Sequence, residues 1–334
     1  MSVSTRQRSP HLNKRPTWVL LLASFVTIFL IFAYLYSPRS SSNGCFLFSS
    51  NGCGSFFQKP LFLPPRELTD AETSSAAVIK EILRTPSVQS KNPKIAFMFL
   101  TPGSLPFEKL WDKFFYGHDE RFTVYVHASK ENPTHVSPYF VGREIRSEKV
   151  VWGRFSMIEA EKRLLAKALS DPDNQHFVLL SDRLFLLYPI VNLDFTFVYV
   201  YNYLIFTNVS FIDSFVDPGP HGNGRYSENM LPEVEKQDFR KGSQMKDPGG
   251  IANWSVTHVD WSEGKWHPKA YRAQDITFEL LQNITSIAEV THVTSDTQKT
   301  VMTRACIWNG LQRPCYLFAR KFYPETVDKL IHLF

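Results

Sequence analysis

Asp171-Pro-Asp173 sets two carboxylates one residue apart, a spacing that can hold a divalent cation and, through it, a nucleotide diphosphate. A metal pair of that kind has to follow a strand. This one precedes a strand, at the end of a helical pattern where Asp and Pro make turns, so no metal is assigned. A second constellation fills residues 247–268, where three Trp, two His and three acidic residues share an irregular backbone. Exposed rings beside carboxylates suit carbohydrate, because sugar C–H faces stack on aromatics while hydroxyls bond to acids. A packed loop whose Trp residues fill a core explains the same composition equally well. Asp260 and Glu263 are the carboxylates this loop offers for proton transfer, and both are weak choices. Further on, Arg304 and Lys321 stand beside apolar strands and could clamp a diphosphate leaving group, the work a metal does elsewhere. Taken singly, each is ordinarily a solvated surface charge. Neither a Gly-x-Ser-x-Gly elbow nor a His-Glu-x-x-His pair occurs, which weakens hydrolase and metalloprotease readings.

The elements that must position these residues begin at residues 94–100, a continuous apolar run ended by Thr101-Pro-Gly103. That pattern predicts a buried strand and a turn. Residues 107–115 read as a helix, 122–127 alternate as a second strand, and 157–169 form an amphipathic helix with Ser156 and Glu159 as its capping box. Residues 177–180 make a third strand that ends in Ser181-Asp182. Strand, helix, strand, helix, strand with short links predicts an α/β fold with a mostly parallel sheet and flanking helices. Ligands in such sheets sit at the carboxyl ends of the strands, which places 101–104, 127–130 and Ser181-Asp182 around one cleft.

Upstream, residues 17–36 are uncharged and apolar, about the 20 residues a bilayer-crossing helix needs. Arg6, Arg8, Lys14 and Arg15 precede the run and only Arg39 follows closely. The positive-inside bias predicts a cytosolic tail (1–16), a signal anchor (17–36) and a lumenal remainder. A cleaved signal peptide is the rival, but the run is long for one and lacks a small-x-small site. Residues 37–90, rich in Ser, Gly and Pro, read as a lumenal stem with a short helix over 78–83, and 91–334 as the globular domain. The formal charge is +5, and without the four basic residues before the anchor the rest is close to neutral, so nucleic-acid binding has no support. The four cysteines form two local pairs, Cys45 with Cys53 and Cys306 with Cys315, each able to close a short loop in an oxidising lumen. Asn208, Asn253 and Asn283 head N-glycosylation sequons, Asn208 within an apolar stretch.

From residue 94 onward the chain resembles plant proteins related to core-2/I-branching β-1,6-N-acetylglucosaminyltransferases. The resemblance rests on Gly117-His-Asp-Glu-Arg-Phe-Thr-Val-Tyr-Val-His-Ala-Ser129, Val151-Trp-Gly-Arg-Phe-Ser-Met-Ile-Glu-Ala-Glu161 and Phe211-Ile-Asp-Ser-Phe215. Gly222-Asn-Gly-Arg-Tyr226, Phe239-Arg-Lys-Gly-Ser-Gln244, the 258–268 loop and Leu317-Phe-Ala-Arg-Lys-Phe322 add to it. It implies a type II Golgi membrane protein with a GT-A-like fold. It also implies inverting, metal-independent transfer of a sugar, N-acetylglucosamine-like, from a UDP-sugar to a glycan or glycoprotein acceptor, with no cofactor. By motif position, Arg304 and Lys321 match the arginine and lysine that hold the UDP phosphates in the animal enzymes.

Two departures accompany the resemblance. After Gln244 the family continues through several dozen residues that include an Asp-Glu-His-Tyr-like motif, whose Glu is the proposed base. Here Gln244-Met-Lys246 runs directly into Asp247-Pro-Gly-Gly250. Where the family reads Leu-Ser-Asp/Glu-Ser-Cys-Ile-Pro-Leu, this chain has Leu180-Ser-Asp-Arg-Leu-Phe-Leu-Leu-Tyr188 and an extra aromatic-rich segment around 191–199. Both have the form of altered splicing or an imperfect gene model. The leading expectation is thus a glycosyltransferase impaired by loss of its base. The alternatives are a non-catalytic lumenal partner of the same family and a carbohydrate-binding protein using the Trp-rich loop.

Overall fold

The computed structural model describes residues 15–35, 68–83, 90–187, 193–213, 215, 217–220, 250–263, 265 and 267–333, with side chains in the first helix from Leu21 to Ile31. Cys45, Cys53, the rest of the 37–67 stretch and the 244–247 junction lie outside these residues. The chain divides into two units, Met1–Glu67 and Leu68–Phe334. In the first, helix α1 (Arg15–Leu35) falls on the apolar run, and its described side chains are all exposed. Among the described residues no helix is long and apolar enough to cross a membrane.

The second unit is mixed α/β. Its centre is a parallel sheet in the order β2 (Phe122–Ala128), β1 (Lys94–Thr101), β3 (Asn174–Ser181). Both faces of β1 are covered, which is why its sequence is apolar without alternation. Ile95, Phe97 and Phe99 enter the main core, and Ala96 and Met98 meet Leu164 and Ala168 of α4 (Ser156–Ala168). Helix α3 (Glu108–Phe115) buries Leu110, Trp111, Phe114 and Phe115, the spacing of one helical face. Phe97 is ringed by Trp111, Phe114, Phe115 and Phe122 at centroid distances of 5.1–6.4 Å. Burying each such ring contributes about 1.5–3 kcal/mol.

The aromatic-rich segment after residue 191 is part of this core. From Leu193 it forms α5 (Leu193–Ile205), whose Phe197 packs on Phe114 (5.0 Å) and Phe122 (5.8 Å). Two local expectations are corrected. The capping box on α4 does not form, because the Ser156 hydroxyl instead accepts the Val151 N–H (3.0 Å) and Glu159 pairs with Lys162 (3.0 Å). The short helix expected over 78–83 is longer: α2 (Asp70–Leu83) lies on α4 through an Arg163–Asp70 ion pair and a Lys80 bond to the Ser170 carbonyl (2.7 Å).

The sheet is also not single. A smaller one runs β4 (Phe185–Leu186), β10 (Phe318–Arg320), β5 (Thr257–Val259), with β10 antiparallel to β4 and parallel to β5. Between β5 and β10 in the chain come α6 (Phe278–Ser286) and two antiparallel ribbons, β6 (Glu289–Val293) with β7 (Val301–Ala305) and β8 (Ile307–Trp308) with β9 (Leu311–Gln312). Cys306 and Cys315 are disulfide-bonded and buried with Trp254 and Val290. Helix α7 (Val327–Leu333) ends the described chain.

Candidate functional site

The register Leu100↔Ser181 and Thr101↔Ala128 brings the carboxyl ends of all three parallel strands level. The loops that follow are tied together: Ser129 N–H donates to the Thr101 carbonyl (2.8 Å) and Lys130 N–H to that of Pro102 (2.9 Å). The predicted segments 101–104, 127–130 and Ser181-Asp182 therefore share one edge. His127 itself turns inward, fully buried, with Nε2 accepting the Glu148 N–H (3.2 Å). Burial, helped by the charge of Arg163, holds its pKa below the usual histidine value. It is a core histidine.

Asp182 faces three cations, Arg183, Arg320 and Lys321. Backbone bonds fix the three segments involved. Phe322 N–H donates to the Arg183 carbonyl (3.2 Å), Tyr271 N–H to that of Lys321 (2.8 Å), and Tyr323 N–H to that of Tyr271 (3.0 Å). Among the described residues the ion pair in this cluster is loose, Arg183 Nε to Asp182 Oδ2 at 3.8 Å. Arg320 Nε is buried without a hydrogen-bond partner. Burial raises the Asp182 pKa against the pull of its cations. Burial also lowers those of Arg320 and Lys321, the latter with help from the neighbouring like charges of Arg320 and Arg183. Three cations around one carboxylate leave a partly dehydrated positive surplus, an environment that attracts an anion.

Next to this cluster, Asp260 is committed. Tyr271 Oη donates to its Oδ2 (3.0 Å) and Ser262 N–H to its Oδ1 (2.9 Å). Burial works to raise the Asp260 pKa, but the bonds from Ser262 and Tyr271 outweigh it and hold the carboxylate below its usual range. Asp260 is therefore poorly set up to take a proton. Glu263 pairs with Lys265 at 2.7 Å. The Trp-rich loop divides between its two readings. Trp254 is 4% exposed and fills the core beside the disulfide, whereas Trp261 is 57% exposed. Trp152, also exposed, meets His267 at 5.2 Å, so the 151–155 and 258–268 loops touch. Trp266 lies outside the described residues.

Arg304 stands apart from Lys321. It is exposed on β7, opposite Val290 of the β6–β7 ribbon, and is not among the charges that act on Lys321 or Asp182. Asp171 and Asp173 form the turn entering β3, where Asp173 N–H donates to Asp171 Oδ1 (2.9 Å) and Lys94 pairs with both carboxylates. That is the amino end of β3, away from the ligand edge. Among the described residues no group of three or more His, Cys, Asp or Glu is arranged to hold a metal ion. Of the sequon asparagines, Asn208 follows α5 and Asn283 sits on α6, both exposed; Asn253 is half-buried at φ 62°. Sequence reasoning missed Arg183 and Arg320. The signal lay in their adjacency to Asp182 and Lys321.

Comparison with known proteins adds the following. A family profile described as Core-2/I-Branching enzyme matches residues 95–246 and 244–285. The rice (Oryza sativa subsp. japonica) protein Glycosyltransferase BC10 is 30% identical over 321 residues, covering 72% of this chain and 77% of that protein. No solved structure matches.

Proposed function

The chain belongs to the Core-2/I-branching enzyme family and is a glycosyltransferase, which takes a nucleotide-sugar donor and a glycan acceptor; from this we infer that it is a type II Golgi membrane protein of GT-A-like fold. On this reading, residues 17–36 anchor it in the bilayer and its C-terminal domain transfers an N-acetylglucosamine-like sugar from UDP, inverting and without metal. The observation that carries the reading is the cationic cluster at the carboxyl edge of β3 and β10, where a ligand of a parallel sheet belongs. In an inverting displacement the acceptor hydroxyl attacks the anomeric carbon opposite the diphosphate. The bond to the phosphate oxygen breaks, and UDP leaves with the electron pair. Lys321 stabilises that developing charge, and a carboxylate must take the hydroxyl proton. The exposed face of Trp261 and the touching 151–155 and 258–268 loops suit the acceptor sugar.

Proton removal is the weak step. Asp260 and Glu263, the carboxylates of the Trp-rich loop, are both engaged. Two features of the comparisons support a missing segment. The family match breaks into two pieces that meet at 244–246, the junction named from sequence. The alignment to the rice protein runs over 321 positions, yet 72% of a 334-residue chain is about 240 residues, leaving roughly 80 positions opposite no residue here. The chain thus keeps donor binding and has impaired transfer, which favours as second reading a non-catalytic lumenal partner.

Titration of the full chain with UDP in chelator tests the donor site. Binding should persist, and Lys321→Ala should weaken it by roughly 1.5–3 kcal/mol, the range for a charge-assisted bond. Arg304→Ala should do less, because its ribbon is separate. UDP affinity indifferent to Lys321 would return that lysine to an ordinary surface charge. Protease protection of a C-terminal tag in sealed microsomes tests the topology, and a tag digested without detergent would sink it. A mobility shift on endoglycosidase treatment, lost in Asn283→Gln, checks the exposed lumenal sequon.

A further inference from the structure

Resting on the donor reading above, we propose that Arg183 and Arg320 join Lys321 as an anion cradle in which Asp182 is the resident counter-ion, displaced from Arg183 when the diphosphate enters. The charge count requires something of this kind. Among the described residues Asp182 is the carboxylate that faces all three cations, and its contact with Arg183, at 3.8 Å, is too long for a hydrogen bond. A diphosphate oxygen at about 2.7–2.9 Å replaces that contact with stronger charge-assisted bonds, and its planar match to a guanidinium adds a second. Arg183 is already in place for this. Its guanidinium lies 5.4 Å from the Tyr323 ring centroid, a contact that holds it beside the cluster. Arg272 shares the same ring at 4.5 Å but is paired with Glu325 at 3.5 Å, so it belongs to the rim. Arg320 contributes a buried Nε with no partner, a donor awaiting an acceptor.

The backbone makes the cradle rigid before any ligand arrives. Phe322 bonded to Arg183 ties the turn after β3 to the end of β10, and Tyr271 bonded to Lys321 ties that end to the segment following β5. Such preorganised cations need little rearrangement when charge develops on a leaving group. In the empty cradle Asp182 offsets part of the repulsion among the three cations at the larger cost of its own burial, and the filled cradle has no need of it. Entry of the diphosphate is therefore an exchange of one anion for another, and the carboxylate competes with the ligand.

This assigns opposite signs to neighbouring residues, which a purely structural cluster does not. Pyrophosphate and UDP are titrated separately into the full chain in chelator, at two salt concentrations. Arg183→Ala and Arg320→Ala should each weaken both ligands about tenfold or more, with Arg320→Lys recovering part of the loss. Asp182→Asn should tighten both several-fold and leave UDP binding still dependent on salt. Unfolding curves of every variant separate lost binding from lost fold, and the gain in Asp182→Asn cannot arise from misfolding. If Asp182→Asn weakens binding as the arginine variants do, the carboxylate is a direct ligand and the exchange idea is wrong. If UDP binds but ignores both arginines, the donor reading stands and the cradle falls. If pyrophosphate binds through the arginines and UDP binds no tighter, the cradle stands and the nucleotide-sugar reading falls.

Discussion

Asp182 and Asp260 stand near the same edge and titrate in opposite directions, because burial dominates one and hydrogen bonds dominate the other. The folded pKa of Asp182 is raised, so the stability it contributes is present below its ordinary value of 3.8 and is lost as pH rises through the folded value. Asp182→Asn should consequently raise the melting temperature at neutral pH, and the gain should vanish under acid. For Asp260 the sign reverses. Its folded pKa is lowered from 3.8, so its contribution is present above that value and is lost as pH falls through the lower folded one. Asp260→Asn should lower the melting temperature at neutral pH, since the Tyr271 hydroxyl and the Ser262 N–H lose an ionised acceptor. Thermal unfolding of the two variants at neutral and acid pH reads both signs at once. A neutral-pH loss in Asp182→Asn would mean that its three cations, not its burial, set its energy.

At the scale of elements, what the sequence revealed tracks how much of each element is decided locally. The β1 strand was legible because covering both faces forces a run of apolar residues, and α3 because Leu110, Trp111, Phe114 and Phe115 repeat at helical spacing. The α4 capping box was misread because the Ser156 hydroxyl has a competing local partner in Val151. Strands as short as β4, β5 and β10 carry too few residues for any period, so the second sheet was hidden, and with it the edge that brings Arg183 to Lys321. The second cysteine pair was visible in spacing and is formed. Cys306 and Cys315 are nine residues apart, and closing a loop of that size constrains the unfolded chain by roughly 2–3 kcal/mol. Replacing both by Ala should cost about that much in denaturant unfolding, and reductant should erase the difference from the parent chain. Because Trp254 and Val290 pack on the bridge, β6 and β7 should lose hydrogen-exchange protection first.

At the scale of the whole molecule, the proposed loss of the family's segment after Gln244 bears differently on donor binding and on transfer. The three parallel strands, α3, α4 and α5 all precede residue 206, but their main core is completed by later residues such as Val256, Phe318 and Phe322, and the donor cluster likewise joins Asp182 and Arg183 from before the junction to Arg320 and Lys321 from after it. On the proposed reading transfer is the step affected, since the family's base would lie in the missing segment. General base catalysis is typically worth about 10²–10⁴-fold, and neither Asp260 nor Glu263 is free to supply it. The decisive comparison sets this chain against one with the family's segment restored after Gln244, given the same UDP-sugars and glycan acceptors. Both should bind UDP alike, because Lys321 and Asp182 are common to them. Only the restored chain should transfer sugar at an appreciable rate, and its gain should appear in kcat more than in the KM for donor. Restoration should also raise the unfolding temperature, by returning core contacts around the junction. Equal turnover by the two chains would show that a group already present removes the acceptor proton, and Asp260→Asn in this chain would then identify or clear the nearest one. Equal UDP binding with transfer confined to the restored chain leaves the present chain as a donor-binding member of a transferase family, occupying nucleotide sugar without spending it.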